Sequence, residues 1–195
     1  MKTDKQVYKI FSANPRWLFE ITGRPWLGPC LWKSVTFKEL QQSSDGVIEP
    51  DDVSQPLIVA EVQGYYDQFI YARIALEMAM LQREADNRCV QGVILFFEER
   101  LDPRTEPWTK VVDAFYLDQT LAELAMREPA HPLVAVFRPV MQVDTKTLGK
   151  NAAVYYNQIR VSKLPRPTVD KLLDVFLDWL AQRFPDFGKK EQEGD

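Results

Sequence analysis

Apolar and polar positions along the chain follow two periods, and the switches between them outline the elements. Residues 4–22 place Val7, Tyr8, Ile10, Phe11, Leu18, Phe19 and Ile21 at helical spacing, with Asp4 as a candidate N-cap. Asn14-Pro15 interrupts that pattern, because proline disfavours helical backbone at the residue before it, so two short helices or a kink are expected. Thr22-Gly23 ends the segment, and 24–32, rich in Pro, Gly and Trp, reads as a loop. Segments 34–40, 45–49 and 56–63 read as strands, joined by polar, turn-like links. Over 66–85 Ile70, Ile74, Met78 and Leu81 recur every three or four positions, which predicts a helix. A mostly apolar strand at 91–97, a short strand at 113–117 and a helix at 118–127 with Asp118 near its cap come next. The apolar run 132–140 fits strand or helix. Helices are expected at 144–160 and 168–184, and the polar segment after Phe187 reads as a disordered tail.

The order helix, three strands, helix, strand predicts an antiparallel meander followed by a helical crossover to a further strand. The expected fold is therefore α/β, a mixed central sheet flanked by helices, with additional C-terminal helices. The expected organisation is a core over 1–140, a helical extension over 141–187 packed on it, and a disordered acidic tail over 188–195.

With 195 residues, 46% of them hydrophobic, the chain is long enough to bury a sizeable core. No apolar run approaches the ~20 residues of a membrane span, so no membrane association is expected. Two cysteines, Cys30 and Cys89, and the single His131 give neither a disulfide framework nor a His-rich metal cluster. A Ser-His-Asp triad would have to use His131, beside Pro132, with no nucleophile motif near it. The opening Met1-Lys2-Thr3-Asp4 lacks the apolar segment of a secretory signal, and a cytoplasmic protein with free thiols is expected. The net charge is −4 and no long Lys/Arg run exists, so any contact with DNA must be assembled from residues distant in sequence.

The candidate chemistry lies in Leu57-Ile58-Val59-Ala60-Glu61-Val62-Gln63, where an acid and an amide stand within an apolar run. A carboxylate in a buried strand is costly unless something pairs with it, and a metal ion is one such partner. Residues two apart on a strand share a face, so Glu61 and Gln63 project together. If the strands at 45–49 and 56–63 pair, Asp45 falls beside Glu61. Two carboxylates and a main-chain carbonyl, for instance that of Val62, would suit Mg2+ or Mn2+. Gln63 would orient a water or contact a phosphate; it cannot act as a base. Plainer readings stand beside these. Ser44-Asp45-Gly46 is also a hairpin turn, and Glu61 can pair with Arg73 on the following helix. Arg73 and Glu77, one helical turn apart, form either an ion pair or, through Arg73, a support for phosphate or for an active-site carboxylate. Glu20 reaches a metal from the first helix or sits at a solvated helix end. Trp17, Trp26 and Trp32 read as core or interface residues, and His131 as an ordinary loop residue.

Several of these residues occur in an order that resembles a known group. They are Asp4, Tyr8-Lys9-Ile10-Phe11, Pro15, Phe19-Glu20 and Gly23; Ser34-Val35 and Lys38; Asp45-Gly46-Val47 and Pro50; Glu61-Val62-Gln63, Asp67, Tyr71, Arg73 and Glu77. Weaker echoes follow at 93–97 and at Phe115-Tyr116-Leu117-Asp118. Over residues 4–120 the chain resembles the transposase-like branch of the PD-(D/E)XK nuclease superfamily, related to bacterial recombination-promoting nucleases. The resemblance implies a restriction-endonuclease-like core and Mg2+-dependent DNA cleavage, with the Asp45 and Glu61 positions binding metal. Gln63 stands where the superfamily usually has Lys and where this branch typically has Gln.

The expected function is a Mg2+-dependent DNA endonuclease, associated with transposition or recombination, with Asp45, Glu61 and Gln63 at its centre and Arg73, Glu77 and Glu20 in support. DNA is the expected partner, and a homodimer would let two single-strand cuts combine. The alternative is a catalytically weak or inactive module that keeps the nuclease fold for protein assembly or DNA binding. The acidic net charge and the aromatics Trp26, Trp32 and Trp108, read as exposed, point that way. A site collapsed by an Arg73–Glu61 pair would favour that alternative.

Overall fold

The computed structural model describes residues 3–37, 42–43 and 46–185. The chain divides into two compact units, Thr3–Thr120 and the part from Leu121 onward. This division falls ahead of the boundary near 140 read from the sequence.

In the first unit α1 (Thr3–Ala13) and α2 (Arg16–Thr22) are separate helices, as the Asn14-Pro15 break requires. α1 begins ahead of Asp4, so the N-cap expected there is not at that residue. α2 closes on Gly23 in the left-handed region (φ 66°), where glycine has no Cβ penalty. A sheet of β1 (Cys30–Lys33), β4 (Gly46–Pro50), β5 (Leu57–Gln63), β6 (Val90–Phe96) and β7 (Val112–Tyr116) follows, in that spatial order. The pairs β1–β4 and β4–β5 are antiparallel, and β5–β6 and β6–β7 are parallel, with α3 (Ile70–Glu84) as the crossover. The result is an α/β fold with a mixed sheet flanked by helices, as the element order predicts.

The first strand of the meander is displaced from its expected place. The sheet takes Cys30–Lys33, which begins within the segment 24–32 read as loop. The segment 34–40 instead supplies β2 (Thr36–Phe37), which pairs with β3 (Gln42–Ser43) in a separate ribbon. Trp32 explains the choice: it is buried, lies opposite Ile48, and stacks on Phe11 of α1 at 5.3 Å. The reading of Trp32 as exposed is thereby corrected, whereas Trp26 and Trp108 are exposed. β1 is an edge strand, where flanking prolines are tolerated.

Strand register assigns the faces. Trp32, Ile48 and Ile58 share the face covered by α1, while Val47, Val59 and Gly92 share the face covered by α3, whose Met78 lies over Gly92. Glu61 and Gln63 continue the Val59 row and so face α3. α3 starts at Ile70, later than the expected 66.

α4 (Leu117–Arg127) leads into the second unit. There α5 (Pro132–Met141), α6 (Thr145–Arg160) and α7 (Arg166–Arg183) pack on one another. The ambiguous run at 132–140 is a helix, buried on nearly every side through Leu133, Val134, Ala135, Val136 and Phe137. Phe137 meets Trp179 of α7 with ring centroids 5.4 Å apart. His131 caps α5, its Nδ1 accepting from the Leu133 N–H at 3.2 Å, and Asp144 caps α6 through the Lys146 and Thr147 amides. Among the described residues no helix is long and apolar enough to cross a membrane.

A Cβ at Gly46 would fall inside the Trp32 indole. Gly46→Ala, a change that a strand would otherwise welcome, is expected to destabilise the protein by ~3 kcal/mol through overpacking. Urea unfolding measures this, and part of the loss should be recovered in a Trp32→Phe background, where the ring is smaller.

Candidate functional site

The parallel strands β5, β6 and β7 end together, so the register row Gln63, Phe96, Tyr116 lines one edge of the sheet. Chemistry in open α/β sheets concentrates at such carboxyl ends. Glu61 lies one pleat inside this edge, in a strand whose residues are all buried, and is itself only 5% exposed. Gln63 is buried as well, and its Nε2 donates to the Tyr65 carbonyl at 2.6 Å, tying the strand end to the turn that follows.

Arg73, in the first turn of α3, reaches back across that turn. Its guanidinium donates to Asp67 at 2.8 Å and stands 3.9 Å from the Glu61 carboxylate. The second distance is within ion-pair range and beyond a hydrogen bond. Asp67 also accepts from the Phe69 amide at 2.8 Å, an Asx turn that sets where α3 begins. Glu77, one turn further along α3, is fully buried.

Asp45, the other expected metal ligand, lies outside the described residues. Its covalent neighbour Gly46 is paired with Ala60, the residue before Glu61. Glu20 forms an ion pair with Arg16 along α2 at 3.3 Å. Among the described residues, no group of three or more His, Cys, Asp and Glu side chains converges so as to hold a metal ion.

Beside Glu61 and Gln63 the same edge carries a cluster that periodicity does not reveal. Asp102, in the loop after β6, accepts from the Tyr71 hydroxyl at 3.0 Å, the Tyr116 hydroxyl at 2.9 Å and the Arg104 amide at 2.8 Å. Tyr71 comes from α3 and Tyr116 from the end of β7, and the Phe96 ring lies between them, 6.3 Å from each. Tyr71, Asp102, Arg104, Thr109, Asp113 and Tyr116 face a cavity of about 630 Å3. Burial first, and then the Asp102 carboxylate, push the Tyr71 phenol well above its ordinary range. Burial followed by the hydrogen bond to Asp102 raises Tyr116, with Arg104 opposing. The sequence held one usable sign of this edge: Asp67 stands two residues before Phe69 and six before Arg73, a cap and a partner for the helix start.

An α/β fold with a mixed sheet and a carboxylate buried at the carboxyl edge of its central strands defines the class of this protein. More particularly, the chain belongs to the family described as "Protein of unknown function (DUF2887)", which matches residues 3–193. Neither a curated protein nor a solved structure matches it.

The phenols of Tyr71 and Tyr116 are favoured in their neutral form by the fold. Their contribution to stability is complete below pH ~10, the unfolded value, and is lost as pH rises through the higher folded values. Ultraviolet titration of tyrosinate should resolve these two groups above the rest, and Asp102→Asn should bring both down. Unchanged titration in that variant would contradict the assignment.

Proposed function

We propose that this protein is a Mg2+-dependent DNA endonuclease of the transposase or recombination-associated kind, with Glu61 as a metal ligand. The observation that carries the reading is Glu61 itself: a carboxylate buried in a central strand, on one face with Gln63 and at the carboxyl edge of the sheet. The order of elements and the strand directions are compatible with a restriction-endonuclease-like core. Carboxylate oxygen is the donor chemistry that a hard divalent ion takes, and Glu61 supplies one such group. Asp45, bonded to Gly46, is the second ligand in this reading. A bound Mg2+ or Mn2+ would supply Lewis acidity and an activated water for hydrolysis of the phosphodiester.

The chain's own residues have distinct tasks. Glu61 and Asp45 hold the charge. Gln63, fixed through Tyr65, presents an amide that positions water or phosphate and takes no proton. Arg73 keeps the turn and Glu61 in register and contributes positive potential, and Glu77, one helical turn on, is buried. Glu20 is engaged with Arg16 along α2. The thiols of Cys30 and Cys89 are free, which accords with residence in the cytoplasm. DNA is the proposed partner, and a homodimer the proposed route to double-strand cleavage.

A second reading is favoured by the Arg73–Glu61 approach of 3.9 Å, which partly neutralises the acid without a metal. In that reading the fold is an inactive module for assembly or DNA binding.

Supercoiled plasmid should be nicked in Mg2+ or Mn2+ and not in EDTA. Asp45→Ala and Glu61→Ala should each lower the rate at least ~100-fold, the scale on which loss of one transition-state contact is felt, with the circular dichroism spectrum unchanged. Nicking that survives in both variants contradicts the endonuclease, and a folded wild-type protein that never nicks supports the inactive module.

A further inference from the structure

The turn between β5 and α3 exposes three aromatic side chains that folding does not use. Tyr65, Tyr66 and Phe69 are 61%, 61% and 66% exposed, while Gln63 and Ile70 on either side are buried. A single exposed aromatic needs no explanation, because apolar atoms make up much of any surface. Three within five residues, each forgoing ~1.5–3 kcal/mol of burial, form a surface with a purpose.

The turn is also held firmly. Gln63 bonds the Tyr65 carbonyl, Asp67 bonds the Phe69 amide, Arg73 bonds Asp67, and the Phe69 carbonyl accepts the Arg73 amide at 2.9 Å. The aromatics therefore cannot fold inward without breaking contacts that also position Gln63 and Arg73. The one acid of the turn, Asp67, is only 16% exposed at its side chain and is neutralised by Arg73, so nothing charged on the turn repels a phosphate. The net charge of −4 and the absence of a Lys/Arg run leave little for affinity through counterion release. Stacking on base faces is the available alternative, and paired duplex offers those faces only at its ends.

We propose that Tyr65, Tyr66 and Phe69 form a base-stacking platform that seats unpaired nucleotides beside Glu61 and Gln63, so that the site acts on nucleic acid with single-stranded character. This inference rests on the endonuclease reading and names its substrate class. Phe69 lies at the foot of α3, and Tyr65 and Tyr66 stand in the turn that leads away from Gln63, so the platform adjoins the strand end that carries Glu61.

The test is fluorescence anisotropy of a labelled oligothymidylate with Ca2+ replacing Mg2+, alongside a closed hairpin duplex and an abasic strand of the same length. Wild type should bind the oligothymidylate best. Tyr65→Ala, Tyr66→Ala and Phe69→Ala should each weaken that binding by about 5- to 100-fold, the range measured for loss of one base–aromatic stack, and Tyr66→Trp should retain it. All three positions are exposed to solvent, and melting temperature serves as the control. Binding unmoved in the triple alanine variant, equal binding of duplex or abasic strand, or no binding by wild type overturns the platform. So does a dimer in sedimentation that the triple variant breaks while oligonucleotide binding stays unchanged, which would assign the surface to a second copy. Nicking of plasmid by the same samples in Mg2+ separates the two ideas. A triple variant that binds as wild type while wild type nicks sinks the platform alone. Stacking-dependent binding without nicking sinks the nuclease alone and leaves the platform supported.

Discussion

A carboxylate buried in the middle of a sheet is the constraint around which this protein is arranged. Every residue of β5 is buried, and Glu61 is among them. An ion so placed is penalised by several kcal/mol unless compensated. One compensating cation comes from α3, the helix that follows the strand, as an arginine shared with a second acid. One guanidinium thus serves Glu61 and Asp67 at 3.9 and 2.8 Å, and the nearer partner takes the hydrogen bond. Much of the surrounding geometry follows from that economy: the start of α3, the course of the turn, and the anchoring of Gln63 to Tyr65.

The contrast with Asp102 sharpens the point. That carboxylate sits at the same edge and accepts from two phenols and a backbone amide, with strong, directed bonds to both of its oxygens. Its role is to lock α3, the end of β7 and the loop after β6 together. Glu61 is more deeply buried and lies 3.9 Å from the Arg73 guanidinium. The parallel strands bring the two acids to a common edge.

The sheet was legible where burial is two-sided and continuous. β5 and β6 read directly from their apolar runs, and α3, α6 and α7 from helical periodicity, because those segments meet the core along their whole length. The first strand was misplaced because Pro25, Gly28 and Pro29 mask an edge strand whose one inward residue is Trp32, while the alternation after Ser34 feeds a separate ribbon. The run at 132–140 carries no period because α5 is buried nearly all round. Of the candidate site, the shared face of Glu61 and Gln63 follows from period two alone, whereas the division of Arg73 between Glu61 and Asp67 does not. Tyr71, Asp102 and Tyr116 are far apart in sequence, and they meet only once α3 and β7 are packed around the loop after β6. Asp45 lies outside the described residues, and its pairing rests on chain connectivity to Gly46.

The most direct measurement is titration of the protein with Mn2+ followed by electron paramagnetic resonance, on wild type and on Glu61→Gln. That substitution keeps the shape of the side chain and removes its charge, so it isolates the ligand role from packing. A bound Mn2+ signal in wild type, displaced by Mg2+ and lost in Glu61→Gln, is the predicted result. Absence of bound Mn2+ in wild type, or equal binding in the variant, would show that Glu61 is buried for the fold alone.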